Sequence, residues 1–145
     1  MATTKLTFSG AIAAPIEDVF ALLTDPKRMP AWFPGCTEVE AQGALVKGTK
    51  FRLRLQTTRH ARDIQAEVVD FAPPTVFGWT EMVPRAGSKT FFRLRFEGGS
   101  TGVTMQQIST RRGLLTMVRS ALFSRRNAKR QFDQALQNLQ RALMR

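Results

Sequence analysis

The spacing of apolar residues switches between two periods along the chain, and each switch marks a boundary between predicted elements. Thr4–Ile12 alternates weakly and reads as a first strand. Pro15 then suits the first position of a helix, and Glu17 and Asp18 favour the dipole of its first turn. Ile16, Val19, Phe20 and Leu23 share one face at i, i+3, i+4 and i+7. Asp25-Pro26 stops this helix and opens a second short one, with Asp25 as its cap. Pro30 and Pro34-Gly35 end it. From there the period is two. Thr37–Ala41 sets Val39 and Ala41 against Glu38 and Glu40, and Lys50–Gln56 sets Phe51, Leu53 and Leu55 against Arg52, Arg54 and Gln56. Ile64–Phe71 is a strand whose inward phase the pattern leaves open, and Pro73-Pro74 breaks it. Val76–Met82 carries Trp79. Thr90–Glu97 sets Phe92, Leu94 and Phe96 against Phe91, Arg93 and Arg95, and Thr101–Ile108 is the last strand. Short turns between neighbouring strands predict an antiparallel meander.

Gly113–Leu143 contains no proline and is rich in helix formers in its second half. An apolar stripe of Leu114, Val118, Ala121, Ala128, Phe132, Leu136, Leu139 and Leu143 runs along it. Unbroken, this helix would be about 46 Å long, while a sheet of about six or seven strands is nearer 30 Å wide. It must therefore overhang the sheet or bend, and Ser124–Asn127 is the place for a bend.

Composition changes the picture in one respect. The chain has 145 residues, which suits one domain spanning 1–145. No apolar run is long enough for a membrane span, and the first residues lack the pattern of a signal peptide. A single Cys cannot form an internal disulfide, so a reducing cytoplasm suits the chain. The net charge, however, is +11, and the excess is concentrated: Arg111 to Arg145 hold nine basic residues and one acidic residue. A basic surface of this kind favours an anionic partner.

The order of strand, two short helices, strand meander and long C-terminal helix resembles the α+β helix-grip fold of the START/Bet v 1-like (SRPBCC) superfamily. Within it the chain is similar to bacterial polyketide cyclase/dehydrase-type proteins. The stretches that carry the resemblance are IAAPIEDVFALLTDPKRMPAWFPG, AEVVDFAPPTVFGW and GLLTMVRSALFSRRNAKRQFDQALQNLQRAL. It implies a curved antiparallel sheet wrapped around the long helix, with a cavity between them. In different members that cavity takes lipids, sterols, polyketides, quinones or plant hormones. The superfamily has no universal catalytic motif, so the resemblance supplies no catalytic residues.

Placed on that fold, Phe51, Leu53, Trp79, Phe92, Leu94, Leu114, Val118 and Phe132 are the expected cavity lining. Trp32 and Phe33, at the corner between the short helices and the second strand, either close one end of the cavity or plug the core. Cys36 reads as a small buried residue. Chemistry-bearing groups are few: one His, one Cys and no Tyr. His60 sits in a turn, flanked by arginines, as solvated surface. No metal site and no cofactor are expected. Glu81 shares a strand face with Phe77 and Trp79. Turned inward, it would be a cavity carboxylate able to act as general acid or base; turned outward, a surface charge. Arg125 falls on the apolar stripe of the long helix. It would either anchor an acidic ligand from inside the cavity or reach solvent along its own stem.

Phe123 lies opposite the stripe, among Arg112, Arg119, Arg126 and Arg130. This face could meet an anionic membrane surface, and Phe123 leaves a homodimer open. The sheet lacks the aromatic signature of an RNA-binding module, so nucleic acid is not an expected partner. The leading expectation is a cytoplasmic carrier or sensor of a small hydrophobic ligand such as a lipid, quinone or polyketide. The alternatives are a polyketide cyclase/dehydratase-like enzyme using Glu81, and a membrane-peripheral module that delivers a lipid through the basic helix.

Overall fold

The structure is a computed structural model and describes residues 2–56, 61–82, 88–111 and 114–144, with side chains for 5–56, 61–82, 88–108 and 125–144. Its elements are β1 (Ala2–Ile12), α1 (Ile16–Leu23), α2 (Met29–Trp32), β2 (Cys36–Ala41), β3 (Lys50–Gln56), β4 (Ala61–Ala72), β5 (Val76–Glu81), β6 (Ser88–Glu97), β7 (Ser100–Arg111) and α3 (Leu114–Leu143). The strands form one seven-stranded antiparallel sheet in the order β1-β7-β6-β5-β4-β3-β2. The meander therefore runs unbroken from β2 to β7, and β1 joins β7 along its whole length.

The inward face of the sheet carries the core. Phe51 and Leu53 on β3, Phe77 and Trp79 on β5, Phe92 and Leu94 on β6, and Val103 and Met105 on β7 are buried. They meet Val19, Phe20, Leu22 and Leu23 of α1, Trp32 of α2, and Ala128, Phe132, Ala135 and Leu139 of α3. The outward face of β2–β4 is ionic. Arg52 pairs with Glu40 at 2.8 Å and Asp63 at 3.1 Å, and Arg54 lies 3.9 Å from Asp63. The Arg52 guanidinium holds the Glu40 carboxyl below its ordinary range. The alternation of charge and apolar residues on these strands is thus a two-faced sheet.

The phase of β4, open in the sequence, is split by a bulge. Ile64, Ala66 and Val68 face inward, the register shifts between Val68 and Asp70, and Phe71 then stands opposite Phe77. One extra residue at that point moves the inward set from even to odd positions. The second short helix begins later than expected. The Asp25 carboxylate accepts from the Lys27 N–H at 3.1 Å, but it closes a turn, and α2 starts only at Met29. α3 is continuous from Leu114 to Leu143, through Ser124–Asn127. It packs on β1, α2 and α1. Side-chain hydrogen bonds fasten it there: Gln140 Oε1 accepts from the Ala13 N–H at 2.8 Å, and Asn138 Nδ2 donates to the Trp32 carbonyl at 3.2 Å.

Candidate functional site

The corner after α2 is held by Cys36 N–H donating to the Phe33 carbonyl at 3.1 Å and Gln56 N–H donating to the Gly35 carbonyl at 2.7 Å. Gly35 has φ +82°, which a side chain would strain. This geometry sends the two aromatics in different directions. Trp32 is fully buried and meets Phe92 edge-on at 5.6 Å. Its indole N–H has no hydrogen-bond partner among the described residues. Phe33 is half-buried and stands edge-on to Trp79 at 5.7 Å.

Between Phe33 and the sheet lies a cavity of about 150 Å3, lined on its apolar side by Phe33, Pro34, Leu53, Leu55, Ile64 and Trp79. Its polar side is formed by Gln56, Glu81, Ser88, Thr90, Gln107 and, from α3, Gln131. Sheet register explains this company. Leu53 stands opposite Ile64 across β3 and β4, while Trp79 stands opposite Val68 on one side and Thr90 on the other, and Thr90 opposite Gln107, so two inward rows meet at the cavity. The β3–β4 row is apolar, and the β5–β7 row ends polar. Thr90 is only 5% exposed. Among the described residues the side chains of Ser88, Thr90, Gln107 and Gln131 make no hydrogen bond. Such groups at an enclosed wall are available to whatever enters.

Glu81 is on this wall. It shares the inward phase of Phe77 and Trp79, and its side chain is 12% exposed. Both its carboxylate oxygens lie 3.2 Å from Arg62 Nη2. Arg62, two residues before the inward Ile64, is 64% exposed and lies at the rim of the sheet. Among the described residues the cavity thus holds one carboxylate, countered from its solvent side.

Other expected lining residues are placed differently. Phe51, Phe92, Leu94 and Phe132 are buried but do not border this cavity. Phe132 stacks on Phe8 at 5.8 Å, and Trp32 and Phe92 fill the space beside it. The interior between helix and sheet is packed where these rings meet. Trp32 backs the wall, whereas Phe33 forms part of it. Arg125 is exposed, which corrects the expectation of an anchor inside the cavity. It keeps step with Ala128 and Phe132, but its long stem carries the guanidinium into water. Arg126 and Arg130 are exposed as well, and Lys129 pairs with Asp133 at 3.6 Å. His60 and Arg112, with the side chains of Leu114, Val118, Arg119 and Phe123, lie outside the described residues.

Two larger hollows lie on the surface. One of about 760 Å3 runs between Thr24–Lys27 and β2, and one of about 680 Å3 lies between Ala11 and the end of α3. Both are open to solvent. The smaller enclosed cavity has the chemistry of a site: an apolar wall facing convergent polar groups. Cys36 is buried, and burial pushes its thiol up to about 11, partly offset by the Glu38 backbone. It is no nucleophile at neutral pH. No group of three or more His, Cys, Asp or Glu among the described residues could hold a metal ion. No described helix is long and apolar enough to cross a membrane.

Comparison with known proteins adds the wider setting. A family model described as "Polyketide cyclase / dehydrase and lipid transport" matches residues 3–144. No curated protein matches the chain. Among solved structures, an aromatase/cyclase from a Streptomyces species is 16% identical with a TM-score of 0.76, over 98% of this chain and 96% of its own. A protein of unknown function from Staphylococcus aureus is 12% identical with a TM-score of 0.79, over 99% of this chain and 98% of its own. Ara h 8.0201 is 11% identical with a TM-score of 0.67, over 95% of this chain and 98% of its own. These likenesses show the Bet v 1-like helix-grip fold.

Proposed function

Since the chain belongs to the polyketide cyclase/dehydrase and lipid transport family, we propose that it binds a small hydrophobic ligand in the cavity bordered by Phe33 and Trp79, as a carrier or sensor. The observation that carries this reading is the wall itself. An apolar surface faces Ser88, Thr90, Gln107 and Gln131, whose side chains make no hydrogen bond among the described residues. Apolar ligand surface entering it leaves water at about 25 cal/mol per Å2, and the polar groups set orientation.

Native mass spectrometry before and after organic extraction tests the reading. The expected result is a reproducible extra mass that extraction removes, and that returns when the extract is added back. An apo mass under all loading conditions overturns it.

Glu81 favours a second reading, a cyclase/dehydratase-like enzyme. It is a carboxylate on the cavity wall, and such chemistry needs a flexible chain held in place and a group to move a proton. Under this reading Glu81→Gln abolishes turnover of a poly-β-ketone substrate while binding persists; retained turnover rejects it.

A further inference from the structure

Three features of the cavity together narrow its occupant. The first is size. A volume of about 150 Å3 has room for one benzene-sized ring, and that is the volume of this half-apolar cavity. A lipid chain or a fused polycycle does not fit whole. The second is shape: Phe33 and Trp79 stand edge-on at 5.7 Å and give the apolar side two aromatic surfaces. Flat rings pack against such surfaces in offset or edge-on geometry. The third is the pattern of donors and acceptors. The Glu81 carboxylate only accepts, the Thr90 hydroxyl does either, and the Gln107 and Gln131 amides carry both.

An anionic ligand beside Glu81 would be repelled, since Arg62, its cation among the described residues, is already paired with it from the solvent side. A bare carbonyl would offer the Glu81 carboxylate no donor from the cavity side, beyond the one Arg62 gives from solvent. A neutral hydroxyl satisfies the set, because it donates to Glu81 and accepts from Thr90 or an amide. We infer that this cavity takes a single aromatic ring bearing a hydroxyl group: a monocyclic phenol, or the phenolic end of a longer molecule that leaves past Gln131. The inference rests on the carrier reading above and makes it specific.

The test is calorimetric titration of the purified protein with p-cresol, toluene, benzoate, 2-naphthol and 1-decanol. p-Cresol should bind about 3- to 10-fold more tightly than toluene, the gain of one net hydrogen bond. It should also bind more tightly than benzoate or 2-naphthol. Thr90→Val and Glu81→Gln should each shrink the p-cresol advantage and leave toluene unchanged, with circular dichroism confirming that both variants fold. Equal affinity for p-cresol and toluene overturns the inference. So does preference for 2-naphthol or decanol, or an advantage that survives in both variants. In those cases an apolar probe still binds and the carrier reading stands. Binding of no probe at all removes both.

Discussion

Gly78 sits on β5 between two buried aromatics, Phe77 and Trp79, opposite Phe91 of β6. Its φ is not in the left-handed region, so any residue could adopt its backbone. Space is what excludes a side chain. A methyl group at Gly78 would overlap Cβ of Phe91 and come within 3.0 Å of both Phe91 Cα and the Thr90 carbonyl oxygen. The last two are backbone atoms, so relief requires the β5–β6 ladder to move. Overpacking of this kind costs about 1–3 kcal/mol, and the lower entropy of the unfolded alanine chain returns about 0.4–1 kcal/mol. A net loss of about 1.3 kcal/mol lowers Tm by about 3–5 °C in a chain of this size. Thermal and urea unfolding of Gly78→Ala measure it. Gly99→Ala is the control, since a methyl there meets nothing within 4 Å, and its expected change is within about 0.5 kcal/mol. The displaced strand carries Thr90, so Gly78→Ala should also weaken cavity binding. A Gly78→Ala protein as stable as the parent would refute the claim that bare backbone at this position sets the spacing of β5 and β6.

Two further outcomes follow from burial and charge. The Cys36 thiol at about 11 against an ordinary value of 9.0 stabilises the fold in its protonated form. That contribution is complete below pH 9 and is lost as pH rises through 11, so unfolding midpoints should fall across this window in the parent and not in Cys36→Ala. At pH 8 the thiolate fraction is about 100-fold lower than in the unfolded chain, and thiol-reagent labelling should be slow until denaturant is added. Exposed Arg125, Arg126 and Arg130 should give salt-sensitive binding to vesicles containing phosphatidylserine and none to neutral ones; a triple glutamine variant that binds equally well would remove the membrane role from this helix face.

Much of the fold is legible because two-faced strands and a stripe on a long helix leave regular marks. Arg52 and Arg54 alternate with Phe51, Leu53 and Leu55, and the structure sorts them into opposite faces. The exceptions share a cause. The β4 phase is hidden because Val69 is an extra residue in the ladder, and no periodicity survives an insertion. Arg125 keeps the period of the stripe, yet its length takes the charge to solvent. The polar half of the cavity leaves its own mark in the sequence. Thr90 is in step with Phe92 and Leu94, and Gln107 with Val103 and Met105, so each is a polar residue at an inward position. That is the signal for a wall facing something other than core. The size of the cavity was not legible. It depends on Phe33 reaching Trp79, and on Gln131 of α3 reaching the wall formed by β5–β7, across residues far apart in the chain.

The aromatic cluster has an optical consequence. The chain has two Trp and no Tyr, and both indoles are buried, at 0% and 3% exposure. All of its intrinsic emission above 300 nm therefore arises from the interior, with the blue-shifted spectrum of indoles kept from water. Trp32 is walled in, while Trp79 borders the cavity. Ligand entry should quench or shift one component and leave the other, so the native protein reports occupancy by its own light, without a dye, a tag or a mutation.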